Sequence, residues 1–262
     1  MAEMTAPEMP MAEIEWPPTE DELPCDDGIP METQRHVLQL DLLMDPLLLY
    51  WAERQDVFVG GNMFMYFSLE QVRRQDFRGP DFFIVLGVPK RERKSWVVWQ
   101  EGKGPDVVIE LLSESTAARD KGEKKQIYQD RLRVPEYFWY DPFSGEWAGF
   151  ALREGVYEPI EPDAQDRLIS QQVKLALVRW EGTYKDVPAR WLRWATLEGE
   201  LLPTPQELAA QQQQRAEEAE QQAAEARRQA EEARRQAEEA ARRAAELEAL
   251  LRRYRERFGE LS

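Results

Sequence analysis

With 262 residues and a formal net charge of −16, the chain is long enough for one domain with an extension or for two small domains. A single cysteine, Cys25, excludes an internal disulfide framework and fits a reducing cytoplasmic compartment, while the lack of an uncharged apolar run of about 18 residues excludes a membrane-spanning helix. The excess charge is local: residues 1–30 hold nine acids and no Lys or Arg, whereas 204–262 nearly balance 13 Glu against 11 Arg.

Residues 1–30 have too much Pro and acid to pack a core and lack a basic or apolar leader stretch, so they read as a disordered acidic arm. Thr33 to Glu53 follows with Val37, Leu40, Leu43, Leu47 and Tyr50 at spacings of three and four, the apolar face of a first helix that Pro46 should kink. Asp56 to Ser68 offers two short β-rich runs around Gly60, Gly61 and Asn62, the composition of a hairpin. Asp81 to Val88 and Asp106 to Ser113 are nearly continuous apolar runs, predicting strands covered on both faces. Ser95 to Gln100 is a further short strand or edge segment. Thr116 to Arg131 is polar and charged, predicting a mostly exposed helix capped by Ser115 or Thr116. Pro135 to Asp141 returns to aromatic strand composition, and Glu146 to Ile160 predicts a hairpin around Glu154 and Gly155. From Ala216 to Phe258 small and apolar residues recur at alternating spacings of three and four, a heptad seam of Ala that ends in Leu247, Leu251, Tyr254 and Phe258. The order is that of an α/β fold with a mixed sheet over residues 31–203, followed by a long helix or coiled coil over 206–262.

One residue is out of place in this pattern. Glu110 lies amid Val, Ile and Leu, and a buried carboxylate is costly unless it is paired or binds a metal. Counting by twos puts Asp106, Val108 and Leu112 on its face of the strand. If the strand opened by Gly79-Pro80-Asp81 lies alongside, two carboxylates converge, and such oxygen ligands suit Mg²⁺ or Mn²⁺. The same spacing also fits a buried acid satisfied by an Arg or a Tyr.

The stretches HVLQLDLLMD (36–45), RGPDFFIVLGVP (78–89), KSWVVWQEGKGPDVVIELLSEST (94–116), ARDKGEKKQIY (118–128) and VPEYFWYDP (134–142) resemble the Uma-two family of restriction-endonuclease-like proteins, within the PD-(D/E)XK nuclease superfamily. The resemblance implies an αβββαβ core and a hydrolase that cuts nucleic acid, DNA before RNA, with Mg²⁺ or Mn²⁺ held by Asp81 and Glu110. In the superfamily a Lys follows the second acid by two residues, and here Leu112 stands there. Relatives with this substitution draw the lysine from the following helix, where the family pattern aligns with Asp120, Lys124 and Tyr128. The resemblance therefore gives Lys124 the lysine's role, with Lys121 and Lys125 as alternates or nucleic-acid contacts and Tyr128 in support. His36 matches a family position in the first helix, although a polar residue packed beside the site describes it more simply than a catalytic one. Ser113, Ser115 and Thr116 can contact phosphate, but capping the helix explains them at less cost.

A nuclease meets a polyanion, and Arg73, Arg74, Arg78, Lys90, Arg91, Arg93 and Lys94 cluster in sequence around the Asp81 strand, where with Lys121, Lys124 and Lys125 they could line a groove. The heptad seam implies a homo-oligomer through the C-terminal helix. The rival reading is a nuclease-like interaction module that has lost activity and sits on a coiled-coil oligomer; Leu112 favours that reading and the retained acids oppose it.

Overall fold

A computed structural model describes residues 17–25, 33–74, 79–113 and 116–259. It divides into a unit that runs to Pro205 and a second from Gln206. The first helix, α1 (Gln34–Tyr50), starts at Thr33, whose side chain accepts from the His36 amide, and carries Pro46 inside it. Its predicted face is rotated in the structure. Leu40, Leu43 and Leu47 are buried as expected, but Val37 and Tyr50 are exposed, and Leu38 and Leu42 are buried instead. The reason is that α1 lies between two sheets, so it needs two apolar faces rather than one stripe.

The first sheet has the order β1-β3-β5-β6-β7-β8, made of β1 (Val57–Gly61), β3 (Phe82–Leu86), β5 (Val107–Leu111), β6 (Glu136–Tyr140), β7 (Trp147–Arg153) and β8 (Val156–Ile160). Only the β5 and β6 pair is parallel. The hairpin predicted at Gly60 and Gly61 does not form. Both glycines lie in β1, which pairs with β3, and the Phe83 ring occupies the space a Gly60 side chain would need. β2 (Met65–Tyr66) instead pairs in parallel with β4 (Trp96–Val97), and the short helix α3 (Val98–Glu101) follows after α2 (Leu69–Arg74) and β4 in the chain. The β7 and β8 hairpin forms as predicted, with Glu154 at a φ of 52° in its turn.

Residues 117–132 form one helical segment, α4, between β5 and β6. Two α turns (Ala117–Arg119 and Lys125–Ile127) alternate in it with two wider π turns (Asp120–Lys124 and Tyr128–Leu132). It covers one face of the first sheet through Tyr128, Phe83, Val108 and Tyr137, while α1 covers the other through Leu43, Leu47, Ile84 and Ile109. A second sheet, β11-β10-β9, comprises β9 (Arg167–Ser170), β10 (Leu175–Tyr184) and β11 (Val187–Ala195), and packs Leu177, Leu192 and Trp194 into the α1 side of the core.

Residues 17–25 correct the composition-based view of the arm. They lie against the domain, with Leu23 only 7% exposed beside Tyr66 and Val97. One apolar anchor and a set of ion pairs offset the acidity that composition alone counts against packing. The rest of the arm lies outside the described residues, as do Ser115, Arg78 and the side chains of Arg73, Arg74 and Phe258.

The last helix, α5 (Pro205–Phe258), is continuous over 54 residues. Glu231 pairs with Arg235, Glu239 with Arg243, Glu238 with Arg234 and Glu246 with Arg242. All eight side chains are well exposed, so each pair contributes only a few tenths of a kcal/mol. No helix among the described residues is long and apolar enough to cross a membrane.

Candidate active site

The antiparallel register that matches Phe82 with Ile109 places Asp81, just ahead of β3, opposite Glu110 on β5. Directly opposed residues share a sheet face with Cβ atoms about 5 Å apart. Gly79 makes this entry possible, since the Met63 carbonyl oxygen passes 2.1 Å from where a side chain would start. The Leu111 amide donates to Asp81 Oδ2 at 2.7 Å, and the Asp81 amide lies 3.4 Å from Glu110 Oε2.

Glu110 has no exposed surface and points toward α4. Tyr128 Oη donates to its Oε1 at 2.6 Å, and Lys124 Nζ lies 3.1 Å from its Oε2. The same Lys124 nitrogen is 2.8 Å from Asp120 Oδ1. That contact is an ion pair without directed hydrogen-bond geometry, and both buried Asp120 carboxylate oxygens lack a hydrogen-bond partner. Asp120, Lys124 and Tyr128 are four residues apart. In a regular α-helix each such step drifts by about 40°. The wide turn at Asp120–Lys124 winds more slowly and keeps the three side chains aimed at one strand.

Three carboxylates and one ammonium thus meet in a largely dry space. Burial pushes the Glu110 carboxyl up to about 7, with the Asp81 charge adding to the rise and Lys124 and the Tyr128 hydrogen bond opposing it. Asp81 and Asp120 are raised for the same first reason, burial, again opposed by Lys124. Burial alone would lower Lys124, but the charges of Glu110, Asp81 and Asp120 outweigh it and hold the ammonium protonated. Tyr128 is pushed far up by burial and by the Glu110 charge, so it remains a donor.

The other sequence candidates divide into near and far. His36 is buried, with Nδ1 2.8 Å from Thr33 Oγ1 and Nε2 3.1 Å from the Leu112 carbonyl oxygen, so it touches the end of β5 through backbone rather than the carboxylates. Leu112 is buried. Lys121 lies over the Trp139 ring and 3.8 Å from Glu146, while Lys125 lies over Phe150. Neither is among the contacts of Glu110. The helix start is held by Ser113, whose Oγ accepts from the Thr116 amide at 3.1 Å; Thr116 makes no side-chain cap. Sequence reasoning missed the hollow beside Lys124 and Tyr128, lined by Met65, Phe67, Pro80, Ile127 and Leu132. It depends on the β2 and β4 ribbon, which is too short to leave a periodic signal.

The described cations of the predicted groove's β3–β4 loop are paired within the chain. Arg93 is buried, its guanidinium bound to both Glu101 oxygens at 2.8 and 2.9 Å, and Lys90 donates to the Ala52 carbonyl. Arg91 is held by Glu20 and Glu101, and Lys94 by Asp21.

A protein-family model described as "Uma2: Putative restriction endonuclease" matches residues 16–179, more than half of the chain. No curated protein matches. Among solved structures, a crystal structure described as "a putative nuclease belonging to DUF820 from Anabaena variabilis ATCC 29413" is similar at 17% identity and a TM-score of 0.39, over 57% of this chain and 88% of that one.

Proposed function

Because the chain belongs to the Uma2 family, we propose that it is a divalent-metal-dependent endonuclease that hydrolyses phosphodiester bonds of nucleic acid, DNA before RNA. The observation that carries this reading is the convergence of Asp81, Glu110 and Lys124, the acid pair and the cation of the family's chemistry, with the cation supplied from α4 instead of from position 112. The donors fit Mg²⁺ or Mn²⁺. They are all oxygens, and three carboxylates facing one ammonium leave the cluster short of positive charge. Among the described residues no three His, Cys, Asp or Glu side chains are grouped as a ready metal site. Asp81 and Glu110 would hold it, and it would supply Lewis acidity toward the phosphate and a more acidic water. Tyr128 fixes the Glu110 carboxylate by donating to Oε1. Lys124 offsets the acids and reaches a position from which it can donate to a phosphate oxygen or orient water.

Purified protein given Mn²⁺ should cut plasmid or single-stranded DNA, and Asp81→Asn should slow cutting by roughly a hundredfold or more. Equal rates for Asp81→Asn and the wild type would remove the assignment.

The C-terminal unit is proposed to associate with further copies. Leu247, Leu250, Leu251 and Tyr254 are 47–69% exposed on α5, while the Ala seam before them buries little area for association. Light scattering at tens of micromolar should show an oligomer that Leu247→Lys with Leu251→Lys returns to monomer mass. A monomeric wild type would mean that α5 stands as a single solvated helix.

A further inference from the structure

The loop between β3 and β4 carries Lys90, Arg91, Arg93 and Lys94 with one acid, Glu92, and it is covered by the acidic residues 17–25. The contact has the pattern of anion recognition. A single carboxylate, Glu20, accepts from Arg91 Nη1 at 2.8 Å on one oxygen and from the Lys94 amide at 3.0 Å on the other. Asp21 takes the Lys94 ammonium at 2.6 Å, while the domain's own Glu101 also pairs with Arg91. A guanidinium and a backbone N–H converging on one anion is how a phosphate is gripped. The neighbouring surface is aromatic, and its donors are also occupied by the same segment: Trp99 Nε1 donates to the Pro18 carbonyl at 2.9 Å and Tyr66 Oη to the Pro24 carbonyl at 2.5 Å. Glu22, by contrast, closes its own turn by accepting from Thr19. The two acids that face the domain are therefore the two spent on its cations.

We propose that this face, Arg91 and Lys94 flanked by Trp99 and Tyr66, binds a nucleic-acid strand, and that residues 17–25 occupy it as a built-in polyanion. Cations that track phosphates beside aromatic rings on which bases stack are the composition of single-strand binding surfaces. The ribbon under the segment connects it to the candidate site. Tyr66 and Phe64 face Leu23, whereas Met65 and Phe67 line the hollow beside Lys124 and Tyr128. A strand that displaces the segment thus lands one ribbon away from the carboxylates. The inference rests on the nucleic-acid part of the proposed function and deepens it by naming the surface and its internal competitor.

The test measures binding of a fluorescein-labelled oligothymidine of about 20 nucleotides to the full-length protein at low salt, with chelator present so that cleavage plays no part. Glu20→Gln with Asp21→Asn should bind roughly tenfold more tightly than the wild type, the scale of a pair of phosphate contacts at low salt. Leu23→Ala, which loosens the anchor without changing charge, should also tighten binding. Glu198→Gln with Glu200→Gln makes the same charge change on another exposed turn and should leave affinity unaltered. Adding Arg91→Gln and Lys94→Gln to the first variant should cancel its gain. An unchanged affinity in the Glu20 and Asp21 variant, or an equal gain in the Glu198 and Glu200 control, overturns the proposal and leaves the segment as a structural clamp. Tighter binding by a chain that never cuts would sink the nuclease reading alone, and cutting without the gain would sink only this one.

Discussion

Lys124→Ala is expected to lose both cleavage and stability. Removing a positioned cation from a dry site costs roughly a hundredfold to thousandfold in rate. A lysine on a charged helix would ordinarily be exposed and its loss nearly neutral, but Lys124 keeps only 15% of its side-chain surface and touches two acids that have still less. Breaking a buried ion pair from one side costs about 3–5 kcal/mol. Here the loss should be partial, because Glu110 already takes a proton near pH 7 and can do so more readily once the ammonium is gone. Denaturant melts should therefore show a large deficit at pH 8, a smaller one at pH 5, and recovery when Mn²⁺ replaces the missing charge. Lys125→Ala, which removes only a cation over Phe150, should cost about 1 kcal/mol at most and leave cleavage nearly intact. Should Lys124→Ala cut as fast as wild type, the cation has been assigned to the wrong residue. A wild type that cuts no nucleic acid with any divalent metal would leave the interaction-module reading in its place.

Glu110→Gln should abolish the response to metal and flatten the pH dependence of stability. Burial, with the Asp81 charge, lifts this carboxyl in the folded protein to about 7, whereas an unfolded glutamate titrates near about 4.3. Between these values the folded state binds a proton that the unfolded state has released. The stabilisation is complete below the lower value and is lost as pH rises through the upper one. Gln cannot titrate, so the variant should lack that slope. The wild type should gain about 2.7 kcal/mol at a free metal concentration about 100 times its Kd, and the affinity should rise with pH as the proton leaves more easily. Identical metal-induced shifts in the two proteins would show that the ion binds elsewhere.

The parts of this architecture that were legible in the sequence are those with a strong period or a chemical contradiction. β3 and β5 announce themselves as apolar runs, the last helix as an unbroken alternation of threes and fours, and Glu110 as a charge where none belongs. Lys124 and Tyr128 came from family resemblance rather than from pattern, since their burial depends on wide helical turns that spacing does not reveal. The β9 to β11 meander escaped because both its turns use left-handed backbone, at Lys174 and at Lys185 and Asp186, with no glycine to mark them. Lys94 reads as a free cation because the acid that holds it lies about 70 residues earlier in the chain, and Arg91 because its two acids, Glu20 and Glu101, flank it from opposite sides in sequence. Composition counts charges but does not pair them.

The two wide turns of α4 also set how this segment can change length over evolutionary time. Each one is equivalent to an insertion that the helix has absorbed, whereas Lys125–Ile127 between them winds as regular α-helix, so deleting a single residue there would swing every later side chain by about 100°. Tyr128 would then leave Glu110. Surface loops of this domain can drift in length with little consequence, but here a gap of one codon is a rotation of the tyrosine away from the acid. Related sequences should therefore keep the intervals from Asp120 to Lys124 and from Lys124 to Tyr128 fixed, even where the residues between them vary freely.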